Sequence, residues 1–266
     1  MRFAIVYSIQ DPAGINIINQ FQKIAFAPNL PIIKIKKKAI YAEDLNEKNY
    51  PELRNIDFII FATTHKSKKG DSSLSIHAPG NFRGADLGGK PGKICSTSAL
   101  VLKFLFKELN KQAEKANLPE YFVTMEATHH GPLIEKPCCF IEIGSTEKQW
   151  KDENAARIIA RTIFSLQNYM PDEKWKPSIA IGGPHYCPVF NKIQLNSEYA
   201  ISHVIAQYNL PIIETMLQEA ERKTIEQIKE VLIDWKGCKG HENRKKIIEI
   251  IEKFGLSYKR TDKINK

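Results

Sequence analysis

The chain has 266 residues, of which 42% are hydrophobic and 26% charged, a balance that suits a soluble globular protein and argues against a disordered one. Lysine and arginine number 39 against 30 acidic residues, a formal charge of +9. That excess favours a polyanionic partner, because neutralising phosphates releases counterions, although a merely solvated lysine-rich surface has the same composition. No run of about 18 apolar residues occurs, which argues against a membrane-spanning helix. The five cysteines (Cys95, Cys138, Cys139, Cys187 and Cys238) show no CxxC spacing and point to a reducing compartment. A strand pattern from Phe3 leaves no room for a signal peptide, so a cytoplasmic protein is expected.

Residues 3–7 read as a buried strand, followed by the breaker Asp11-Pro12-Ala13-Gly14. Ile15, Ile18, Phe21, Gln22 and Ala25 then repeat at helical spacing until Pro28 stops the helix. In residues 31–41, Lys34, Lys36 and Lys38 on one face predict an edge strand blunted by charge, with phosphate contact as the sharper alternative. Residues 57–62 form an apolar strand ending in a basic loop, residues 63–70, in which His65 reads as solvated. Leu74-Ser75-Ile76-His77 is a short strand turned out by Ala78-Pro79-Gly80-Asn81. Gly84 to Lys90 fits the GxxxxGK spacing of a phosphate loop. Pro91, however, stands where a magnesium-binding hydroxyl belongs, and no clear strand leads straight in, so an NTPase is rejected. The glycine N–H groups can still cradle a phosphate.

Ser96, Thr97 or Ser98 caps a helix that carries Ala99, Leu102, Leu105 and Phe106 to about Ala116. Residues 121–125 form a buried strand leading into Glu126-Ala127-Thr128-His129-His130-Gly131-Pro132. Residues 139–144 are another strand, and Thr146 with Gln149 makes a capping box for a helix through Ala155, Ile158, Ile159, Thr162 and Ile163. Residues 178–181 form a strand that opens into Gly182-Gly183-Pro184-His185-Tyr186. Ser197 caps a predicted helix through His203, and residues 213–235 are helical in period with Gly237 as C-cap. A last helix covers about 242–254, before a basic tail. This alternation predicts a single α/β domain over residues 1–266, with a mixed, largely parallel sheet flanked by helices and a helical segment over about 211–254.

Four histidines, His77, His129, His130 and His185, fall at or just after strand ends, where open α/β sheets bind ligands. GxSxG and HExxH are absent, so neither a nucleophile elbow nor a zincin is supported. On one straight strand Glu126 and His130 would stand roughly 13 Å apart on one face, and His129 would point to the other face. These residues can share a site only if the chain turns at Thr128-His129, and the remaining ligands must come from His77 or His185. His203 and His241 read as structural.

His77-Ala78-Pro79-Gly80-Asn81, Glu126-Ala127-Thr128-His129-His130-Gly131-Pro132, Ile141-Glu142-Ile143-Gly144-Ser145-Thr146-Glu147 and Gly182-Gly183-Pro184-His185-Tyr186, in this order, resemble the archaeal and plant type of D-aminoacyl-tRNA deacylase. Asp11-Pro12-Ala13-Gly14 and Ala200-Ile201-Ser202-His203 are similar to further family segments. Pro184 departs from the pattern, standing where a third glycine is expected. The resemblance implies a fold like that of phosphorylases and peptidyl-tRNA hydrolases. The implied reaction is hydrolysis of the ester between a D-amino acid and the 3′ end of tRNA, with zinc activating a water. On this reading Glu126, His129 and His130 are catalytic, and His77, His129, His130 and His185 are metal ligands. Asn81, Gly88, Gly89, Lys90, Gly182 and Gly183 are the expected substrate contacts, tRNA is the partner, and a monomer is expected. Peptidyl-tRNA hydrolysis and a non-catalytic tRNA-binding module stay open as alternatives.

Overall fold

A computed structural model describes residues 1–24 and 30–264 of the chain. The order is β1 (Phe3–Ser8), α1 (Pro12–Ile24), β2 (Ile32–Ile35), β3 (Phe58–Lys66), β4 (Ser73–His77), β5 (Gly80–Asn81), β6 (Lys93–Ile94), α2 (Ala99–Ala116) and β7 (Phe122–Met125). It continues through β8 (Cys138–Ser145), α3 (Glu147–Trp150), α4 (Glu153–Phe164), β9 (Lys176–Ile181), α5 (Pro188–Asn196) and β10 (Tyr199–Ile205). Last come α6 (Glu214–Arg222), β11 (Glu230–Ile233), α7 (His241–Lys253) and β12 (Ser257–Arg260).

Six strands form the main sheet in the order β2-β1-β3-β8-β4-β7. Adjacent pairs are parallel except β4 against β8, so β4 and β7 run opposite to the rest. Both faces are covered, which is why β1, β3 and β8 read as unbroken apolar runs rather than alternating ones. Phe58, Ile60 and Ala62 pack on one face with α1, α2 and α4, while Ile59 and Phe61 pack on the other beneath residues 39–56. Phe58, Ile59, Ile60 and Phe61 are fully buried, and each contributes about 1.5–3 kcal/mol of transfer free energy. β2 is an edge strand, as its lysines predict: Ile33 and Ile35 point inward and Lys34 outward.

A second, parallel sheet has the order β10-β9-β11-β12. Helix α2 binds the sheets together, packing against β4 and β7 of the first and β10 of the second. It starts where the sequence places it: Ser98 Oγ accepts the Val101 N–H, and the Glu226 carboxylate takes the Ala99 N–H at 2.9 Å.

Local periodicity misreads several segments. The helix predicted through His203 is strand β10, because Tyr199 to Ile205 are all buried, and helical and strand periods cannot be told apart in a short apolar run. Residues 213–235 hold helix α6 but then strand β11, whose Val231, Leu232 and Ile233 are buried against β9 and β12. The basic tail contributes edge strand β12. The helix predicted through residues 147–163 breaks at Asp152, whose carboxylate accepts the Asn154 N–H at 2.8 Å and starts α4. Its expected beginning holds, with Gln149 Oε1 accepting the Thr146 N–H at 3.1 Å. Helix α1 starts earlier than predicted, at Pro12, with Asp11 Oδ1 accepting the Gly14 N–H at 2.8 Å. Its predicted stop at Pro28 lies outside the described residues.

Candidate active site

The polar groups of the site continue the apolar face of the main sheet. On β3, Ile59 and Phe61 are followed on the same side by Thr63 and His65, because strand side chains alternate. Glu142 of β8 pairs in register with Thr63 on one side and Ser75 of β4 on the other, and His77 lies two residues beyond Ser75. Thr63 donates to Glu142 Oε1 at 2.8 Å, and Glu142 Oε2 lies 3.6 Å from both His65 Nδ1 and His77 Nε2.

The segment after β7 turns across this face. Glu126 N–H bonds to the Ile76 carbonyl of β4, Ala127 N–H to His185 and Thr128 N–H to Val204 of β10. The chain bends at Thr128-His129, as convergence required, and His130 adopts φ +46°, a left-handed conformation rare outside glycine and often found at functional sites. The bend brings His129 Nε2 to 3.5 Å from the Glu126 carboxylate. It also places the His129 ring 4.3 Å from both His77 and His130 and 4.6 Å from His185, centre to centre.

Three of these imidazoles share one tautomer, assigned from the acceptor that each Nδ1 faces. His77 Nδ1 donates to the Ala78 carbonyl at 3.1 Å, His129 Nδ1 to Ala127 at 2.8 Å and His130 Nδ1 to Gly131 at 2.6 Å. Backbone acceptors at Nδ1 leave the Nε2 lone pairs of the neutral His129 and His130 free, the arrangement that orients metal-binding histidines. His77, its Nε2 3.6 Å from Glu142, is instead favoured in the protonated form and offers that lone pair once the proton is displaced. One ligand atom from each of His77, His129 and His130 falls within a 4.8 Å set. His77 Nε2 and Glu126 Oε1 are buried acceptors without a hydrogen-bond partner. Such atoms each cost about 1–3 kcal/mol unless a donor or cation meets them, so their presence in the same buried cluster fits a bound cation.

His185 stands outside that trio. Its Nε2 lies 3.0 Å from Glu126 Oε2, its Nδ1 3.3 Å from the Tyr208 hydroxyl, and it groups with Glu126 and His129 instead. Burial lowers His129 well below the ordinary histidine value and His130 to about 4, helped by their histidine neighbours, so both are neutral near pH 7. Burial opposes ionisation of Glu126 and Glu142. The His185 hydrogen bond nevertheless leads a set of contacts that hold Glu126 below the carboxylate range, and His65 and His77 do the same for Glu142.

His65 corrects the sequence reading. It is not a solvated loop residue: strand β3 runs four residues further than predicted and buries it to 7% exposure. Its Nδ1 lies 3.1 Å from Glu126 Oε1, off the line of a good hydrogen bond, and its Nε2 meets the Tyr186 hydroxyl at 2.8 Å. Continuing the alternation of Ile59 and Phe61 to Thr63 and His65 would have found it. His203, on β10, holds the bend in place, with Nδ1 3.2 Å from Thr128 Oγ1.

The expected substrate contacts divide. Asn81 lines a cleft of about 200 Å³ beside His129 and His130, and its amide donates to the Gly88 carbonyl at 2.9 Å. Gly88 and Gly89 press on Gly131 so closely that a Cβ on Gly131 would lie 2.5 Å from both. They buttress the histidine bend. Lys90 is exposed beyond them. Gly182 and Gly183 lie under residues 234–238 instead, where a Cβ on Gly182 would meet Cys238 Sγ at 2.8 Å.

Lone pairs gathered beside buried carboxylates, on an α/β frame, suit a metal-assisted hydrolase. The model of the D-aminoacyl-tRNA deacylase family matches residues 52–259, and the chain belongs to that family. A D-aminoacyl-tRNA deacylase of Methanocaldococcus jannaschii is 31% identical over 271 residues, covering 98% of this chain and 100% of the relative. One from Thermococcus kodakarensis is 35% identical over 204 residues, covering 76% and 73% of the two chains. The crystal structure of a conserved protein of unknown function matches the whole fold with a TM-score of 0.90 at 29% identity, covering 99% of this chain and 96% of that one. The expected mixed, largely parallel α/β architecture holds. Among the described residues, no helix is long and apolar enough to cross a membrane.

Proposed function

We propose that this protein is an ester hydrolase that cleaves the bond between a D-amino acid and the 3′ end of tRNA, releasing free amino acid and reusable tRNA. Membership of the deacylase family supports the reaction class and the tRNA substrate. The single observation that carries the mechanism is the gathering of one ring nitrogen from each of His77, His129 and His130 within 4.8 Å of one another, with His129 Nε2 3.5 Å from the Glu126 carboxylate.

His77, His129 and His130 would hold a zinc ion, which His185 does not join. When bound, zinc supplies Lewis acidity for the ester carbonyl and for water. The chain's own groups handle the proton. Glu126, 1% exposed, accepts from His185 Nε2 and so keeps the tautomer whose Nδ1 accepts from the Tyr208 hydroxyl at 3.3 Å. At that Nδ1 a proton taken from the attacking water can be held and passed to the departing ribose oxygen. The carboxylate orients the imidazole and offsets its charge, much as the acid of a triad does. His65 steadies Glu126 from the far side, and the Gly88-Gly89 loop steadies the bend that carries His129 and His130.

The direct test is to compare release of amino acid from D-tyrosyl-tRNA, L-tyrosyl-tRNA and N-acetyl-tyrosyl-tRNA. Preferential turnover of the free D-ester supports the proposal. Preference for the N-blocked ester would make the protein a peptidyl-tRNA hydrolase, and tRNA binding without turnover of any ester would make it a binding module.

A further inference from the structure

Two clefts meet at the histidine cluster, and they differ in the chemistry they can receive. The larger, about 700 Å³, runs from His185 along the end of β3 and past Phe122 and Tyr186. The smaller, about 200 Å³, lies on the His129–His130 side by Asn81 and Tyr208. Ligand pockets for molecules of nucleotide or drug size usually span ~300–1,000 Å³, so only the larger falls in that range.

Charge separates them further. Lys66, Lys68 and Lys69 stand exposed along the larger cleft, and the ion pairs of the described residues involve other lysines, leaving these three ammonium groups uncommitted. The smaller cleft contains one cationic side chain, Arg83, and its guanidinium is already spent on backbone carbonyls, Asn209 at 2.9 and 3.1 Å and Pro211 at 2.8 Å. Asp86 adds a carboxylate there. The first cleft therefore offers a polyanion three unpaired ammonium groups, and the second offers no unpaired cationic side chain.

The larger cleft also offers π surface. Phe122 is 38% exposed and packs edge-to-face on Tyr186, 5.4 Å between ring centres at 79°. The Tyr186 ring is fixed by its hydroxyl bond to His65. Interleaved lysines and rigid aromatic rings are the means by which proteins hold unpaired nucleotides: the charges track the backbone and the rings stack on bases.

We propose that this lysine–aromatic cleft binds the single-stranded 3′-terminal nucleotides of tRNA, which leaves the smaller cleft, across the His129–His185 gap, for the amino acid. The assignment rests on the deacylase reading and adds the direction in which the substrate lies. The terminal ribose then sits at the His185 edge, where the proton is delivered, and the acyl carbonyl falls toward His129 and His130.

The test uses the full chain and a short RNA ending in CCA, alongside a blunt RNA duplex of equal charge. Affinity for the single strand is measured for wild type, for the triple charge reversal K66E/K68E/K69E and for Phe122→Ala. The expected result is that wild type prefers the single strand, that Phe122→Ala weakens it about fivefold or more, and that the triple reversal weakens it over tenfold with a shallower salt dependence. In turnover of D-tyrosyl-tRNA, both variants should raise KM by more than they lower kcat. Equal wild-type affinity for duplex and single strand, no wild-type binding of the single strand, or affinities unchanged in the variants would each overturn the assignment. Wild-type deacylation is scored separately. If it fails while single-strand binding is lost in the variants, the fault lies in the proposed reaction and not in the cleft.

Discussion

His185 Nε2 lies 3.0 Å from Glu126 Oε2, joining a half-buried residue at the rim of the larger cleft to a carboxylate sealed beneath it. An isolated carboxylate at that depth would cost several kcal/mol, so its ionised form depends on the surrounding imidazoles. Glu126→Gln keeps the volume but removes the charge and one acceptor. kcat/KM for D-tyrosyl-tRNA should fall by about 10²–10⁴ with the fold intact by circular dichroism. A loss of less than tenfold would remove Glu126 from the proton-handling unit.

His65 touches both carboxylates and the Tyr186 hydroxyl. Its replacement by Ala should lower kcat by about 10–100-fold, the usual cost of removing a supporting partner of a metal site. Tyr186→Phe, which loses only the hydroxyl contact, should cost under about tenfold. The comparison of the two rates in single-turnover assays decides whether His65 acts through Glu126 or through Tyr186.

The reach of the sequence follows from which contacts are local. The His129–His130 bend is legible because Gly131-Pro132 ends the strand within two residues, whereas Gly88-Gly89 reads only as a substrate contact and its packing on Gly131 is seen in the fold alone. His77 and His185 can be nominated as strand-end residues, but their meeting with His129 depends on the antiparallel insertion of β4 beside β8 and on hydrogen bonds from residue 127 to His185 and from residue 128 to β10. No local pattern encodes such long-range pairing. Glu142 is legible as a strand residue within a family-like motif but not as a site residue, since its neighbours Thr63 and Ser75 are 79 and 67 positions away. The sequence pattern around His203 reads as a helix because Ile201, Val204 and Ile205 satisfy either period once both faces of a strand are buried.

His203 sets a pH dependence of stability. Burial lowers it to about 4, against an unfolded value near ~6.5. Between those values the unfolded chain holds a proton that the folded chain refuses. The stabilisation is therefore complete above ~6.5 and is lost as pH falls through about 4, by at most ~3 kcal/mol. Melting curves of wild type and His203→Gln between pH 7 and 4 should show the smaller decline in the variant; equal slopes would remove His203 as a contributor.

Lys103, fully buried on α2, donates to the carbonyls of Gln194 at 2.5 Å, Ser197 at 2.9 Å and Tyr199 at 2.8 Å. It closes the end of α5 and the start of β10, the strand that carries His203. Lys103→Met should lower stability by about 3 kcal/mol or more, because three carbonyls lose their shared donor. Urea unfolding midpoints measure this, and an unchanged midpoint would show that water replaces the ammonium.

The most direct measurement is single-turnover deacylation of D-tyrosyl-tRNA by protein stripped with a chelator, then resupplied with zinc, beside His129→Ala treated the same way. The cluster of His77, His129 and His130 predicts that stripping abolishes turnover, that zinc restores it in wild type at one ion per chain, and that His129→Ala neither retains the ion nor recovers. Full activity in stripped wild-type protein would contradict the account.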